Sequence, residues 1–219
     1  MNKLILSFTA LTLALVAFAQ YQIFMVVPDE QVMGAVQRIF YFHVASAVSC
    51  YAAFAIVFFC SLGFLVTRNP KFDVINAAAG EVGFIFCTIT LGSGMIWGHS
   101  AWNTWFRWEP RLVTFLLLWQ IFLGFNLLRH FGNQGKLAAH TAVVGMLGAL
   151  TVPLVWISIK FVPQFEQLHP QVIENRRLKD SRYIQAMVVS MVALFCLQLL
   201  LVFIRSRLGF LKLREEEAS

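Results

Sequence analysis

The chain has 219 residues, of which 59% are hydrophobic and only 13% are charged. A soluble domain averages roughly 45–50% apolar and about a quarter charged residues, and a chain this short cannot bury so much apolar surface in one core, so the composition indicates an integral membrane protein. The net charge of +6 comes from basic residues in short blocks between apolar runs, a pattern that anchors and orients membrane spans and argues against nucleic-acid binding.

Long apolar runs predict the architecture. A helix needs about 20 residues to cross roughly 30 Å of hydrocarbon, and in lipid only helices and closed barrels pair all of their backbone groups. Because the runs are long and continuous, they predict an all-α integral membrane bundle of six transmembrane helices, a single domain over residues 1–219. The predicted spans are approximately 4–27, 39–66, 79–97, 112–128, 138–158 and 184–204.

The first apolar run has two interpretations. Lys3 followed by an apolar stretch and Ala17-Phe18-Ala19 imitates a secretory signal peptide with a small-residue cleavage site. The apolar run then resumes through Tyr21 as far as Val27, which makes it long enough to span. We therefore expect a retained first helix, with a cleaved leader as the alternative.

An even number of spans places both termini on one side. The basic residues are almost evenly divided between the two sides, but those on the far side lie mainly in the long connection 159–183. Elsewhere they favour the side of the termini, so the positive-inside rule predicts cytoplasmic termini. The external segments are then 28–38, 98–111 and 159–183.

The cysteines lie inside apolar segments and none forms a C-x-x-C or C-x-x-C-H motif. This excludes the usual zinc, thioredoxin-like and covalent haem-attachment patterns. Small hydrophobic residues packed between helices are the expected interpretation. The cysteines are Cys50, Cys60, Cys87 and Cys196.

Glu81 is the one acidic residue inside a predicted span. An acid within the membrane is costly and suggests a function. Glu81 lies only about one turn from the end of its span, however, so its carboxylate could also simply reach the interface. A small-solute transporter would need polar groups or broken helices at mid-membrane, and apart from Glu81 the spans offer few. The sequence therefore argues against transport of a small solute.

Tryptophans crowd into residues 97–111, which comprise the end of the third predicted span and the external segment after it, at Trp97, Trp102, Trp105 and Trp108. Tryptophan favours the membrane interface, but an aromatic belt would spread over many span ends. The last three recur every third residue, so in a helical segment their rings would share one face and could support a flat, polarisable ligand. On spacing alone, an interfacial belt and a ligand platform both fit.

Charged residues accompany the tryptophans. Arg107 and Arg111 flank them, and Arg38 ends the neighbouring external segment. Arginine pairs bidentately with carboxylates, so these residues could hold an acidic ligand edge such as haem propionates, although interfacial anchoring also fits. Glu109 is expected to pair with one of these arginines.

Two histidines lie on the predicted external side. His43 is one turn into the second span, and His169 is in the connection 159–183. A lone histidine near an interface is usually only hydrogen-bonded, but two from separate segments can supply imidazoles to both faces of a haem iron. Together with the tryptophans they predict a haem site with His43 and His169 as axial ligands. His99 is a possible third participant.

The segment from Trp97 through Glu109-Pro110-Arg111 to Thr114 resembles the tryptophan-rich WWD signature of haem-handling membrane proteins, specifically the CcmC (haem exporter protein C) family of cytochrome c-type biogenesis. The resemblance extends to chain length, six spans and the histidine on either side of the loop. His43 matches the first family histidine in its Arg-Ile-x-Tyr-x-His-Val context, and His169 matches the second.

The resemblance implies a function that spacing does not show. It implies that haem b is held transiently and non-covalently at the periplasmic face of a bacterial inner membrane. Two histidines would be its axial ligands and the tryptophan loop its platform. It further implies delivery to the haem chaperone CcmE, with CcmD and the ABC transporter subunits CcmA and CcmB as partners, and no enzymatic activity. The alternative is a CcsA-type haem lyase component that attaches haem to apocytochrome c.

The sequence departs from the family pattern in two places. Glu109, followed by Pro110, stands where aspartate is usual, and Ala45 replaces a common proline after the first histidine. Glutamate keeps the charge but reaches one methylene further, and Ala45 predicts a straighter helix. Neither departure removes a proposed ligand.

Overall fold

The computed structural model describes residues 3–132, 136–161 and 180–218, and this part of the chain is almost entirely helical. Six helices of the described part are long and apolar enough to cross a membrane, which confirms the predicted all-α bundle. They are α1 (Lys3–Tyr21), α2 (Ile39–Thr67), α3 (Pro70–Trp102), α4 (Pro110–Phe131), α5 (Leu137–Phe161) and α6 (Ser181–Ala218). A π-helical turn, Gln22–Val26, prolongs α1, and a 3₁₀ turn, Ala35–Arg38, leads into α2.

Helix α3 is longer at both ends than the predicted span 79–97. At its start Asn69 is the N-cap residue, and its Oδ1 accepts a hydrogen bond from the Lys71 amide at 3.0 Å, with proline at the next position. A polar cap followed by proline is a helix-start signal. At the other end the helix continues to Trp102 and stops where Asn103 adopts a left-handed conformation, φ 53°. The tryptophan segment is therefore partly helix and partly loop.

The core of the bundle is formed mainly by α2, α3 and α4, with residues of α5 and α6 completing it, and it is rich in phenylalanine. Phe54 of α2 stacks on Phe122 of α4, with ring centroids 3.5 Å apart. At position 80 of α3, a Cβ would lie 2.2 Å from Cε1 of Phe125, so glycine is what lets α4 approach α3. Tight packing of this kind at a small residue is typical of membrane helices. It fixes α3 against its neighbours before α3 reaches the tryptophans.

Ion pairs join the helices towards the end of the bundle where α3 begins. Asp73 of α3 pairs with Arg129 of α4, and Glu81 of α3 pairs with Arg205 of α6. The second pair is about half exposed, at 43% for Glu81 and 47% for Arg205. The intramembrane acid thus has a cation from another helix as its partner, which gives it a structural explanation.

Asp180 precedes helix α6 and acts as a local cap for its first turn. The Arg182 amide donates to the Asp180 carboxylate at 2.8 Å, and the Arg182 guanidinium bonds the same group. These hydrogen bonds lower the pKa of the Asp180 carboxyl. Tyr183 and Ala186, near the start of α6, pack in one cluster with Trp97, so α6 begins at the same end of the bundle as the tryptophans.

Candidate functional site

A cavity of about 250 Å³ lies at the end of the bundle where α3 leads through the loop 103–109 into α4. One wall is a stripe on α2, and α3 faces it. The stripe repeats at helical spacing, which puts its side chains on one face. Its members are Phe40, His43, Val44, Ala47, Val48 and Tyr51. The predicted site residues on the cavity wall are His43, Trp97, Trp102, Trp105, Arg107, Glu109 and Arg111.

His43 projects from α2 towards α3 and is held there by hydrogen bonds. Its Nδ1 lies 3.1 Å from the carbonyl oxygen of Thr90 and 3.2 Å from Oγ of Ser93. The imidazole therefore contacts both the backbone and a side chain of the opposite helix. Its position is set by the packing of α2 on α3, and not by an isolated loop.

Gly94 provides the space for this ring. A Cβ at position 94 would lie 2.9 Å from Cε1 of His43 and 3.3 Å from its Nδ1. Both distances are below ordinary van der Waals contact. A glycine one turn after Thr90 is therefore a requirement of the histidine's position.

Trp97 forms the inner part of the aromatic wall. It is only 3% exposed, and its ring centroid lies 5.9 Å from both His43 and Phe40 and 5.5 Å from Trp102. The tilted and edge-on arrangements are those that aromatic rings prefer. Its indole Nε1 is buried with no acceptor among the described residues. Trp97 is thus a packing residue that also borders the cavity.

The segment is not helical as far as Trp108, so the condition under which Trp102, Trp105 and Trp108 would share one face is not met. The helix ends at Trp102, and Asn103 turns the chain out of helical conformation. Trp105 is 55% exposed and stacks on His99, with centroids 4.1 Å apart. Trp108 is 76% exposed and is not among the residues that line the cavity. The loop therefore presents its tryptophans at different depths.

Charged side chains sit beside the aromatic wall where α4 begins. Glu109 is 3% exposed, and its Oε1 lies 3.7 Å from Nε of Arg107, so the predicted pairing of Glu109 with an arginine is confirmed. Glu109 precedes Pro110 at the N-terminus of α4, where the helix dipole stabilises a negative charge. Arg111, in the first turn of α4, also lines the cavity.

The remaining candidates lie apart from the cavity or outside the described residues. Arg38 pairs with Asp29 at 2.9 Å and lies over the ring of Phe24, so the described structure gives it an anchoring contact. His99 is not among the residues that line the cavity, and its ring stacks on Trp105, which does line it. His169 falls outside the described residues, and its assignment as a ligand stays a prediction.

Sequence reasoning missed the residues of α3 that face His43. In the sequence, Thr90, Ser93 and Gly94 look like ordinary small residues of a membrane helix. The available signal was the spacing of these small residues, which lie one to two turns before Trp97. Knowing that they meet a particular histidine needs the pairing of α2 with α3, which periodicity alone does not give.

The family described as CcmC, Heme exporter protein C, matches residues 1–219. The chain belongs to this family.

Individual CcmC relatives are moderately similar to the chain. Heme exporter protein C of Bradyrhizobium diazoefficiens is 32% identical over 151 residues, which are 68% of this chain and 57% of that protein. The Paracoccus denitrificans protein of the same name is 29% identical over 82% of this chain and 76% of its own length. The Escherichia coli K12 protein is 29% identical over 61% of this chain and 55% of its own length. The chain thus spans little more than half the length of two of these three relatives.

Proposed function

We propose that this CcmC-family chain binds haem at the cavity and delivers it to a haem chaperone during cytochrome c maturation. The observation that carries the proposal is the meeting of three groups around one cavity. These are the imidazole of His43, the aromatic wall around Trp97, and the arginines at the start of α4. Membership of a family described as heme exporter protein C supports the same ligand.

The chemistry of the wall fits a haem. Imidazole is a standard axial ligand of haem iron. The aromatic and aliphatic side chains suit a flat apolar macrocycle. Arg107 and Arg111 have the guanidinium geometry that pairs with carboxylates, and haem carries two propionates. One site therefore offers a partner for the metal, for the ring and for the acidic edge.

The exposure of the rim favours transfer over permanent storage. Trp105 and the Arg107 side chain line the cavity and are 55% and 41% exposed, respectively. A ligand placed there would keep an edge within reach of another protein. We infer that haem b is held non-covalently and transiently, as cargo for delivery, and that the chain is a handling protein and not an enzyme.

The second axial ligand is proposed to be His169. The connection that contains it joins α5 to α6, whose described ends lie at the same end of the bundle as the cavity. A bis-histidine site needs one imidazole on each face of the ring, and a separate chain segment can supply the second. This assignment comes from the sequence pattern.

The setting follows from the same proposal. The chain would be a multi-pass protein of the bacterial inner membrane, with cytoplasmic termini and the haem site at the periplasmic face. We propose CcmE as the acceptor of haem, and CcmD and the ABC transporter subunits CcmA and CcmB as partners. The basic residues at the end of the bundle that bears the termini support this orientation.

A CcsA-type haem lyase component is the competing function, and a deletion strain separates the two. We expect that deletion abolishes haem loading of CcmE, that the wild-type chain restores it, and that the His43→Ala variant does not. His140→Ala is the matched control, since His140 is exposed on α5 and absent from the cavity wall. The opposite result would be that CcmE is still loaded with haem in the deletion strain and only the final attachment to apocytochrome is lost. That result would contradict delivery and favour the lyase.

A further inference from the structure

Three groups of the described structure form one hydrogen-bonded unit at His43. The Nδ1 atom of His43 is 3.1 Å from the Thr90 carbonyl oxygen and 3.2 Å from Ser93 Oγ. The Ser93 hydroxyl in turn donates to the same Thr90 carbonyl at 3.2 Å. The Thr90 hydroxyl takes no part, because it donates to the carbonyl of Phe86 at 2.8 Å.

The donors and acceptors of this unit determine where the imidazole proton sits. A carbonyl oxygen can only accept a hydrogen bond. Nδ1 must therefore donate to the Thr90 carbonyl, and the Ser93 hydroxyl, which bonds the same carbonyl, can present its oxygen to Nδ1 as a second acceptor. Nδ1 therefore faces two acceptors and must carry the hydrogen. In a neutral imidazole the lone pair is then on Nε2.

We propose that Thr90 and Ser93 of α3 hold His43 in its Nδ1–H tautomer, so that Nε2 is the atom that binds haem iron. Ser93 is then a positioning residue that sets the strength of this bond. The proposal deepens the haem-binding function and rests on it. Hydrogen bonding of the outer nitrogen of a metal-bound histidine orients the ring and raises its basicity as a ligand.

The expected effect of removing the hydroxyl follows from this unit. In Ser93→Ala, Nδ1 loses one of its two acceptors and keeps the Thr90 carbonyl. Loss of such an outer partner typically costs 10–100-fold in metal affinity. Since half of the unit survives, we expect about a tenfold weaker haem affinity, at the lower end of that range. A less basic imidazole stabilises ferric iron less, so the reduction potential should become more positive.

The haem-bound protein gives the first test. The full chain is purified in detergent and titrated with haem, and its potential is measured by spectroelectrochemical titration. Ser93→Thr keeps a hydroxyl and should restore both values. Ser190→Ala is the control, because Ser190 bonds the carbonyl of Ala186 in its own helix and does not line the cavity. Unchanged affinity and potential in Ser93→Ala, or equal changes in Ser190→Ala, would overturn the positioning role.

The haem-free protein gives a second test that does not depend on haem binding. Nitrogen NMR of histidine-labelled chain reports which ring nitrogen is protonated, and the His43→Ala variant identifies the His43 signals. We expect the proton on Nδ1 in the wild type. A proton on Nε2 would overturn the proposal even if haem binds. If instead the wild type binds no haem while Nδ1 is protonated, the haem function fails and the hydrogen-bonded unit stands as a structural feature.

Discussion

Replacing Gly94 by alanine would test whether α3 positions His43. The new Cβ would lie 2.9 Å from Cε1 of His43 and 3.3 Å from its Nδ1, whereas ordinary contacts between such atoms are about 3.5–4.0 Å. The ring or the helix must therefore yield by roughly 0.5–1 Å. The hydrogen bonds from Nδ1 are already 3.1 and 3.2 Å long, so a shift of this size would break at least one of them.

The energetic cost of this change is modest, and its functional cost should be large. Overpacking of this kind costs about 1–3 kcal/mol, and the helix preference of alanine over glycine offsets about 1 kcal/mol of it. We therefore expect Gly94→Ala to lower the free energy of unfolding by no more than about 2 kcal/mol. Because the proposed ligand is displaced, haem affinity should fall at least about tenfold.

The assay is a haem titration followed by absorbance, together with thermal unfolding of the same preparations in detergent. Gly92→Ala is the matched control, since a Cβ at position 92 of the same helix would have no described atom within 4 Å. We expect Gly92→Ala to bind haem like the wild type. Wild-type affinity in Gly94→Ala, or an equal loss in both variants, would refute the claim that this contact sets the position of His43.

Three further sets of substitutions test the aromatic wall, the acidic residue at the start of α4 and the interhelical ion pair of Arg205. Trp97→Ala should lower the free energy of unfolding by about 3–5 kcal/mol because the residue is buried. Trp108→Ala, at a largely exposed site, should change the free energy of unfolding by less than about 0.5 kcal/mol. Similar thermal melts for the two variants would contradict this difference. Glu109→Asp should keep haem affinity within about threefold of the wild type because it keeps the charged partner of the arginine. Glu109→Ala removes that partner and should lower haem affinity about tenfold or more. Equal titration curves for the two variants would show that the charge is not needed. Arg205→Gln should lower stability by about 1 kcal/mol, the scale of interhelical polar contacts, with an unchanged haem spectrum; a changed spectrum would show that the pair with Glu81 acts on the site.

The spans were predictable because lipid imposes a simple rule. Any stretch of about 20 apolar residues must become a helix there, so the number and order of the helices follow from hydropathy. The ends did not follow, because the start of α3 is decided by the Asn69 cap and Pro70 and not by apolar content. Helix α6 likewise continues to Ala218, well beyond the last residue of the predicted span, because apolar content marks the part of a helix that lies in lipid and not the end of the helix.

The site was predictable in composition but not in geometry. The sequence indicates which chemistry is present, namely His43, the tryptophans and the arginines. It does not show that Asn103 ends the helix inside the tryptophan segment, because a left-handed residue depends on its surroundings as much as on its type. Nor does it show that Gly94 faces His43, since helix pairing is a tertiary property.

The absorption spectrum of the haem-bound full chain is the most direct measurement of the proposed site. The wild type should show the Soret and α/β bands of low-spin, bis-histidine haem. His43→Ala and His169→Ala should each lose haem or change to a spectrum of altered ligation. If both variants retain wild-type haem content and an unchanged spectrum, these histidines are not the ligands and the proposed haem site is wrong.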